Sequence, residues 1–183
     1  SVGSAGSFTF SPAVAGDSVY AAGRDGTIAR FDGGRQVWRI SAGRTLSAGA
    51  GADGSVVVVG SDKGDVLAFD TNGTALWATK VGSEVISPPK TAEGTVVVFS
   101  GDGRVYGLST KDGSRRWVYQ RANPPLIVRN YAGAVIERGG VFFGTAGGRL
   151  LGLDLATGTV GWEAAVATPK GATELERIAD VTS

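Results

Sequence analysis

Apolar residues along this chain fall into short runs that return at a near-constant interval: Val19 to Ala22, Val56 to Val59, Val96 to Phe99 and Val141 to Phe143. Each run has the length of a strand. Behind each comes a pair suited to positive φ in a hairpin: Asp25-Gly26, Lys63-Gly64, Asp102-Gly103 and Gly147-Gly148. A second apolar segment follows each pair, ending at Phe31, Phe69, Leu108 and Leu153. In the first of these, Ile28 and Arg30 alternate with Ala29 and Phe31, the period of two that predicts a strand with one buried face. Asp32, Asp70 and Asp154 close the first, second and fourth segments, and Ser109 closes the third. Every unit ends on a tryptophan, Trp38, Trp77, Trp117 and Trp162, at spacings of 39, 40 and 45 residues. Gly34, Gly73, Gly113 and Gly158 stand four positions before them.

With a first strand near Ser11 to Val14, each unit reads as four short antiparallel strands. About 40 residues in four strands is a propeller blade. The predicted fold class is therefore all-β: a β-propeller arc of about four four-stranded blades, 11–43, 46–82, 85–120 and 131–166, with 167–183 as an inter-blade loop. The tryptophans and glycines are expected to be structural, each ring stacked between blades and each glycine in a turn. The repeated aspartates are expected to bond nearby backbone N–H groups in turns. Val2-Gly3-Ser4 matches Val81-Gly82-Ser83, so the chain is expected to open on the tail of a fourth strand. Ser183 aligns with Ser11 and Ser87 at a blade start, so the arc reads as part of a larger ring. Its unpaired blade surfaces predict edge-to-edge association of two copies.

Composition narrows the chemistry. Glycine supplies 30 of 183 residues, as many tight turns require. Eighteen basic and 17 acidic residues leave a net charge of +1, which gives no reason to expect nucleic acid as a partner. The chain has no Cys, His or Met, which excludes disulfides, thiolate or imidazole metal sites and His- or Cys-based catalysis within it. Without a Met, Ser1 is expected to follow a cleavage or boundary, with any targeting segment upstream. No catalytic residue, cofactor site or metal site is predicted.

Function on a repeat scaffold concentrates where the period breaks. Two neighbouring blade-to-blade connections are enlarged, and both should emerge on one face. The first runs from Gln120 to Arg129. Pro124 and Pro125 hold it extended, and Leu126, Ile127, Val128 and Arg129 then either present an apolar and guanidinium patch or fold back as core. The second runs from Thr168 to Val181. Leu175 and Ile178 fit a short helical turn with Thr173 as cap, and a solvated loop fits equally.

Asp102 to Leu108 and Leu153 to Trp162 resemble the repeat unit of quinoprotein-like propellers. Gly171 to Val181, with Pro125 to Arg129 one blade earlier, is similar to loops of the BamB family, propeller lipoproteins of the β-barrel assembly machinery. The resemblance spans essentially the whole chain, as the first half of an eight-bladed ring. It implies a non-enzymatic scaffold on the periplasmic side of the outer membrane, anchored by a lipid outside this chain. It implies binding to a POTRA domain of BamA through Leu126, Val128, Arg129 and Asp180, and makes nascent outer-membrane proteins a second candidate partner. Val128 stands where a leucine is common, and Thr182 where a second acidic residue is seen. The alternative is a fragment of a pyrroloquinoline-quinone-dependent dehydrogenase; a third reading is a propeller sensor domain attached to another protein.

Overall fold

A computed structural model describes residues 8–120, 134–145 and 149–165. Sixteen strands in these segments form four sheets, each with its strands in simple sequence order. The first sheet is β1 (Ala13–Ala15), β2 (Ser18–Ala22), β3 (Thr27–Asp32) and β4 (Arg35–Ser41). The second is β5 (Gly51–Ala52), β6 (Val57–Gly60), β7 (Asp65–Phe69) and β8 (Ala75–Lys80). The third is β9 (Lys90–Ala92), β10 (Thr95–Phe99), β11 (Arg104–Ser109) and β12 (Arg115–Gln120). The fourth is β13 (Val135–Glu137), β14 (Gly140–Gly144), β15 (Arg149–Asp154) and β16 (Val160–Ala165). All neighbouring strands pair antiparallel, as hairpin connections require. First strands meet across sheets, β1 with β5 and β5 with β9, so they form the inner side of the arc.

Three glycine-bearing hairpins lie between second and third strands, and only their glycines, Gly26, Gly64 and Gly103, take positive φ. Gly23 N donates to Thr27 O, Ser61 N to Asp65 O and Ser100 N to Arg104 O. Each loop therefore holds three residues with its glycine in the left-handed region. Gly147-Gly148 lies outside the described residues. Two other hairpins are tighter. Glu93-Gly94 and Arg138-Gly139 link β9 to β10 and β13 to β14 with both residues at positive φ, the geometry of a type I′ turn.

The cores lie between sheets. Tyr20, Ile28 and Trp38 of the first pack on Val57, Val59 and Phe69 of the second. Val58, Val66 and Trp77 pack on Val96, Val98 and Leu108 of the third. Val97, Phe99 and Trp117 pack on Val141, Phe143 and Leu151 of the fourth. Each fully buried side chain of this size stabilises the stack by roughly 1.5–3 kcal/mol. The burial of the third strands does not alternate. Ile28 and Ala29 are both fully buried, and Val66 to Phe69 are buried in succession, the latter because the first and third sheets cover both faces of the second. An alternating pattern marks a half-exposed strand, whereas inner strands of stacked blades have no exposed face.

The tryptophans fasten one sheet to the next. Trp38 Nε1 donates to Thr71 O at 2.8 Å, Trp77 Nε1 to Thr110 O at 2.9 Å and Trp117 Nε1 to Leu155 O at 2.7 Å. Each acceptor lies in the third-to-fourth-strand turn of the following blade. A Cβ on Gly73 would sit 3.1 Å from the Trp38 ring, one on Gly158 2.6 Å from that of Trp117, and one on Gly113 would strike Trp77. So the glycine four residues before a tryptophan serves the ring of the preceding blade, not its own.

A β-bulge aims each ring. The register between third and fourth strands shifts after Arg30, Ala68, Gly107 and Gly152, the residues opposite the four tryptophans. The residue before each tryptophan is left unpaired, which explains why Val37 and Leu76 are exposed. The extra residue sharpens the local twist and turns the indole toward the next sheet. Trp117 is only 6% exposed, because Gly107 beneath it leaves its ring no side chain to ride over.

Trp117→Ala is expected to cost about 3–5 kcal/mol of unfolding free energy, and the half-buried Trp77→Ala less, read from urea titrations. Gly158→Ala should destabilise the wild type more than it destabilises the Trp117→Ala variant. A double-mutant cycle with no coupling would show that ring and glycine do not act as one contact.

Candidate partner-binding face

Strand direction alternates within a blade, so the second-to-third-strand hairpins and the blade-to-blade connections share one face. Backbone hydrogen bonds tie them together. Ala42 N donates to Gly26 O at 2.8 Å and Leu46 N to Arg24 O at 3.0 Å, while Asp62 N donates to Thr45 O at 3.2 Å and Ser47 N to Gly60 O at 3.1 Å. The connection between the first and second blades thus bonds to a hairpin on either side. The next repeats this: Val81 N donates to Gly64 O at 2.8 Å, Val85 N to Ser61 O at 3.1 Å and Gly101 N to Glu84 O at 2.8 Å. Gly26 and Gly64 meet the passing backbone so closely that a Cβ would lie 2.5 Å from Arg44 O or 2.7 Å from Ser83 O.

Charged side chains brace the same face. The half-buried Asp65 carboxylate receives Arg44 at 2.9 Å and Lys80 at 3.5 Å, joining the first connection to the end of β8. Burial pushes its pKa up, but hydrogen bonds from Arg44 and Ser61 and the charges of Arg44 and Lys80 outweigh this and hold it below the ordinary value. In the third blade Arg104 bridges Asp102 at 3.2 Å and Gln120 at 3.1 Å, and in the fourth Arg149 pairs with Glu163. Gly82 fits among Asp102, Arg104 and Tyr106, and its N–H donates to the Tyr106 hydroxyl at 3.0 Å.

Both enlarged connections begin on this face. β12 ends at Gln120 opposite Arg104, and β16 ends at Ala165 opposite Arg149, in adjacent sheets. Leu126, Val128 and Arg129 fall in 121–133 and Asp180 in 166–183, outside the described residues.

The Asp65 brace was not anticipated from the sequence. Its signal is an acidic residue directly after the hairpin glycine, where the other units carry Thr27, Arg104 and Arg149. The repeated aspartates divide. Asp70 Oδ1 accepts from Asn72 N and Thr74 N, and Asp154 Oδ1 from Ala156 N and Thr157 N, as turn formers do. Asp32 instead receives Arg30 and the Ser18 hydroxyl, because Gly33-Gly34 makes a two-residue turn with both φ positive. On the opposite face a polar cleft of about 300 Å³ lies among Glu93, Thr95, Arg116, Arg138 and Asp154. The inner strands border a larger cleft of about 820 Å³, with Val14 and Val135 exposed toward it. Among the described residues, no three His, Cys, Asp or Glu side chains gather as ligands of a metal ion would. No helix there is long and apolar enough to cross a membrane.

Four-stranded repeats stacked in series, the first three tryptophans each seated in the next repeat's turn, define a β-propeller arc of PQQ-like blades. A family model described as outer membrane protein assembly factor BamB matches residues 24–183, and the chain belongs to that family. It is 48% identical to the outer membrane protein assembly factor BamB of Nitrosomonas eutropha over 95% of this chain and 43% of that protein. It is 45% identical to that of Bordetella pertussis over 99% of this chain and 47% of that protein. The chain thus spans about half the length of the curated relatives it matches. The crystal structure of BamB from Moraxella catarrhalis superposes with a TM-score of 0.78 at 29% identity, covering 91% of this chain and 52% of that one.

Because the folded Asp65 pKa lies below its unfolded value of about 3.9, the stability it contributes is complete above about pH 4. It is lost as pH falls through the folded value. The urea midpoint should therefore drop between pH 7 and pH 3. Asp65→Asn should lower the midpoint at pH 7 and shrink the drop; an unchanged drop would remove Asp65 from the acid response.

Proposed function

We propose that this chain is part of a non-enzymatic scaffold that supports assembly of outer-membrane proteins by docking a POTRA domain of BamA. The observation that carries this reading is the match of residues 24–183 to the family described as outer membrane protein assembly factor BamB. The proposed contact is made by Leu126, Val128 and Arg129 from one enlarged connection and Asp180 from the next. What supports it is the departure of both connections from one face, beside hairpins held by backbone hydrogen bonds. A braced base limits the ordering entropy that loops lose on binding. Arg129 and Asp180 would give charge complementarity, and Leu126 and Val128 the apolar contact.

The proposed location is the periplasmic side of the outer membrane, by way of a lipid anchor outside this chain, with nascent outer-membrane proteins as further candidate partners. The proposed role uses no cofactor. The quinone-dependent dehydrogenase is not favoured: the relatives above are named as assembly factors.

Titration calorimetry of this chain against isolated BamA POTRA domains tests the proposal. Wild type should bind, and Arg129→Glu should weaken binding by roughly tenfold or more while leaving the urea midpoint unchanged. Unaltered affinity would remove Arg129 from the contact, and failure of the wild type to bind any POTRA domain would sink the reading.

A further inference from the structure

The joint between the third and fourth blades departs from the two before it on the face that carries the third-to-fourth-strand turns. By register Val37, Leu76 and Arg116 hold one place, each left unpaired by the bulge before its tryptophan. The first two expose an apolar side chain there, and the third exposes a guanidinium. The turns between first and second strands differ as well. Gly16, Glu93 and Arg138 share one turn position, with φ of +60, +50 and +50. Glycine suits that backbone, whereas Glu and Arg adopt it under strain. Among the described residues these two are the non-glycine positions with positive φ, and both line the cleft of about 300 Å³ at this joint. Strain of this kind persists where the side chain serves something the turn itself does not need.

The cleft is built from both sides of a joint that lies wholly within the chain. Glu93, Thr95 and Arg116 come from the third blade, and Arg138, Asp154 and Leu155 from the fourth. Its walls are fixed: Trp117 Nε1 donates to Leu155 O at 2.7 Å, and Leu155 N to Gly139 O at 2.8 Å. The hydroxyl of Thr95, a residue 1% exposed, accepts from Arg116 Nη1 at 3.2 Å and holds that guanidinium in place. Among the described residues Arg116, Arg138 and Glu93 make no ion pair. Asp154 Oδ1 is taken by the N–H groups of Ala156 and Thr157, which leaves Oδ2 without a partner there. Two cations and two carboxylates thus line one small space without pairing with one another.

Two guanidinium groups in one cleft repel each other unless an oxyanion lies between them, and their planar donors suit carboxylate or phosphate. Two carboxylates beside them disfavour a bare anion and attract an ammonium group. The volume sits at the low end for ligand sites, which hold about 300–1,000 Å³, so the ligand is small. We propose that this cleft binds a small zwitterion, its oxyanion between Arg116 and Arg138 and its ammonium group on Glu93 and Asp154. A free α-amino acid and phosphoethanolamine both have this chemistry. The site lies opposite the face offered to a POTRA domain, and the inference does not depend on that reading.

Titration of the isotope-labelled chain with L-alanine and, separately, with O-phosphoethanolamine tests it, read from amide and arginine Nε–H shifts by NMR. At least one should bind saturably, with shifts gathered at Thr95, Arg116, Arg138 and Gly139. Which of them binds identifies the oxyanion as carboxylate or phosphate. Inorganic phosphate and ethylamine each carry half of the ligand, and should bind at least about tenfold more weakly. Arg116→Ala and Arg138→Gly should each weaken binding by at least about tenfold. Arg138→Gly should also keep or raise the urea midpoint, because glycine relieves the turn; an arginine that served only the fold would not separate the two readouts. Absence of a saturable shift with either zwitterion would overturn the proposal. So would phosphate that binds as tightly as the zwitterions, or an affinity that both variants leave unchanged.

Discussion

An indole ring lying on a glycine of the next sheet, with its N–H bonded to a turn carbonyl, is the contact on which this arc rests. It joins an apolar surface that needs cover to a donor that needs an acceptor. Neither need can be met within one blade, because the ring points away from its own sheet. A four-stranded sheet of this kind is therefore incomplete alone and becomes stable by stacking, as in other repeat proteins. The bulge before each tryptophan belongs to the same device, since it turns the ring outward.

The contact also separates the two faces of the arc. One face carries the third-to-fourth-strand turns that receive the rings, and there sequence variation is limited by the glycine slot and the acceptor carbonyl. The other carries the hairpins and blade-to-blade connections, held by backbone N–H and C=O groups packed close against the hairpin glycines. Leu46 and Val85 of these connections are buried in the cores between sheets, but length can vary there at modest entropic cost. Arg44, Asp65 and Lys80 use this latitude to brace one connection, and the two long connections use it to add residues.

The repeats made much of the fold legible. Apolar runs at 56–59 and 96–99, hairpin glycines and terminal tryptophans are local signals, and strands at 57–60 and 95–99 lie within a residue of them. The third strand was harder to read. Val66 to Phe69 are buried on both sides, and one strand's pattern does not say whether a second sheet will cover its outer face. The roles of Asp32 and Asp70 differ for a similar reason: one turn is one residue shorter, which changes what the carboxylate can reach. The candidate partner site was legible only as an interruption of the period around Leu126 and Asp180. The charged brace at Asp65 was not, since Arg44 lies far from it in the chain.

By itself the sequence determined strand lengths, turn chemistry and the number of repeats, because hydrophobic period and the φ tolerance of glycine act over a few residues. Tertiary structure alone decided which glycine serves which tryptophan, which strands lose both faces to their neighbours, and which charges meet. Those outcomes depend on contacts between residues about 15 to 38 positions apart, from Asp65 to Lys80 up to Trp117 to Leu155. Such contacts are set when sheets stack, and no local propensity encodes them.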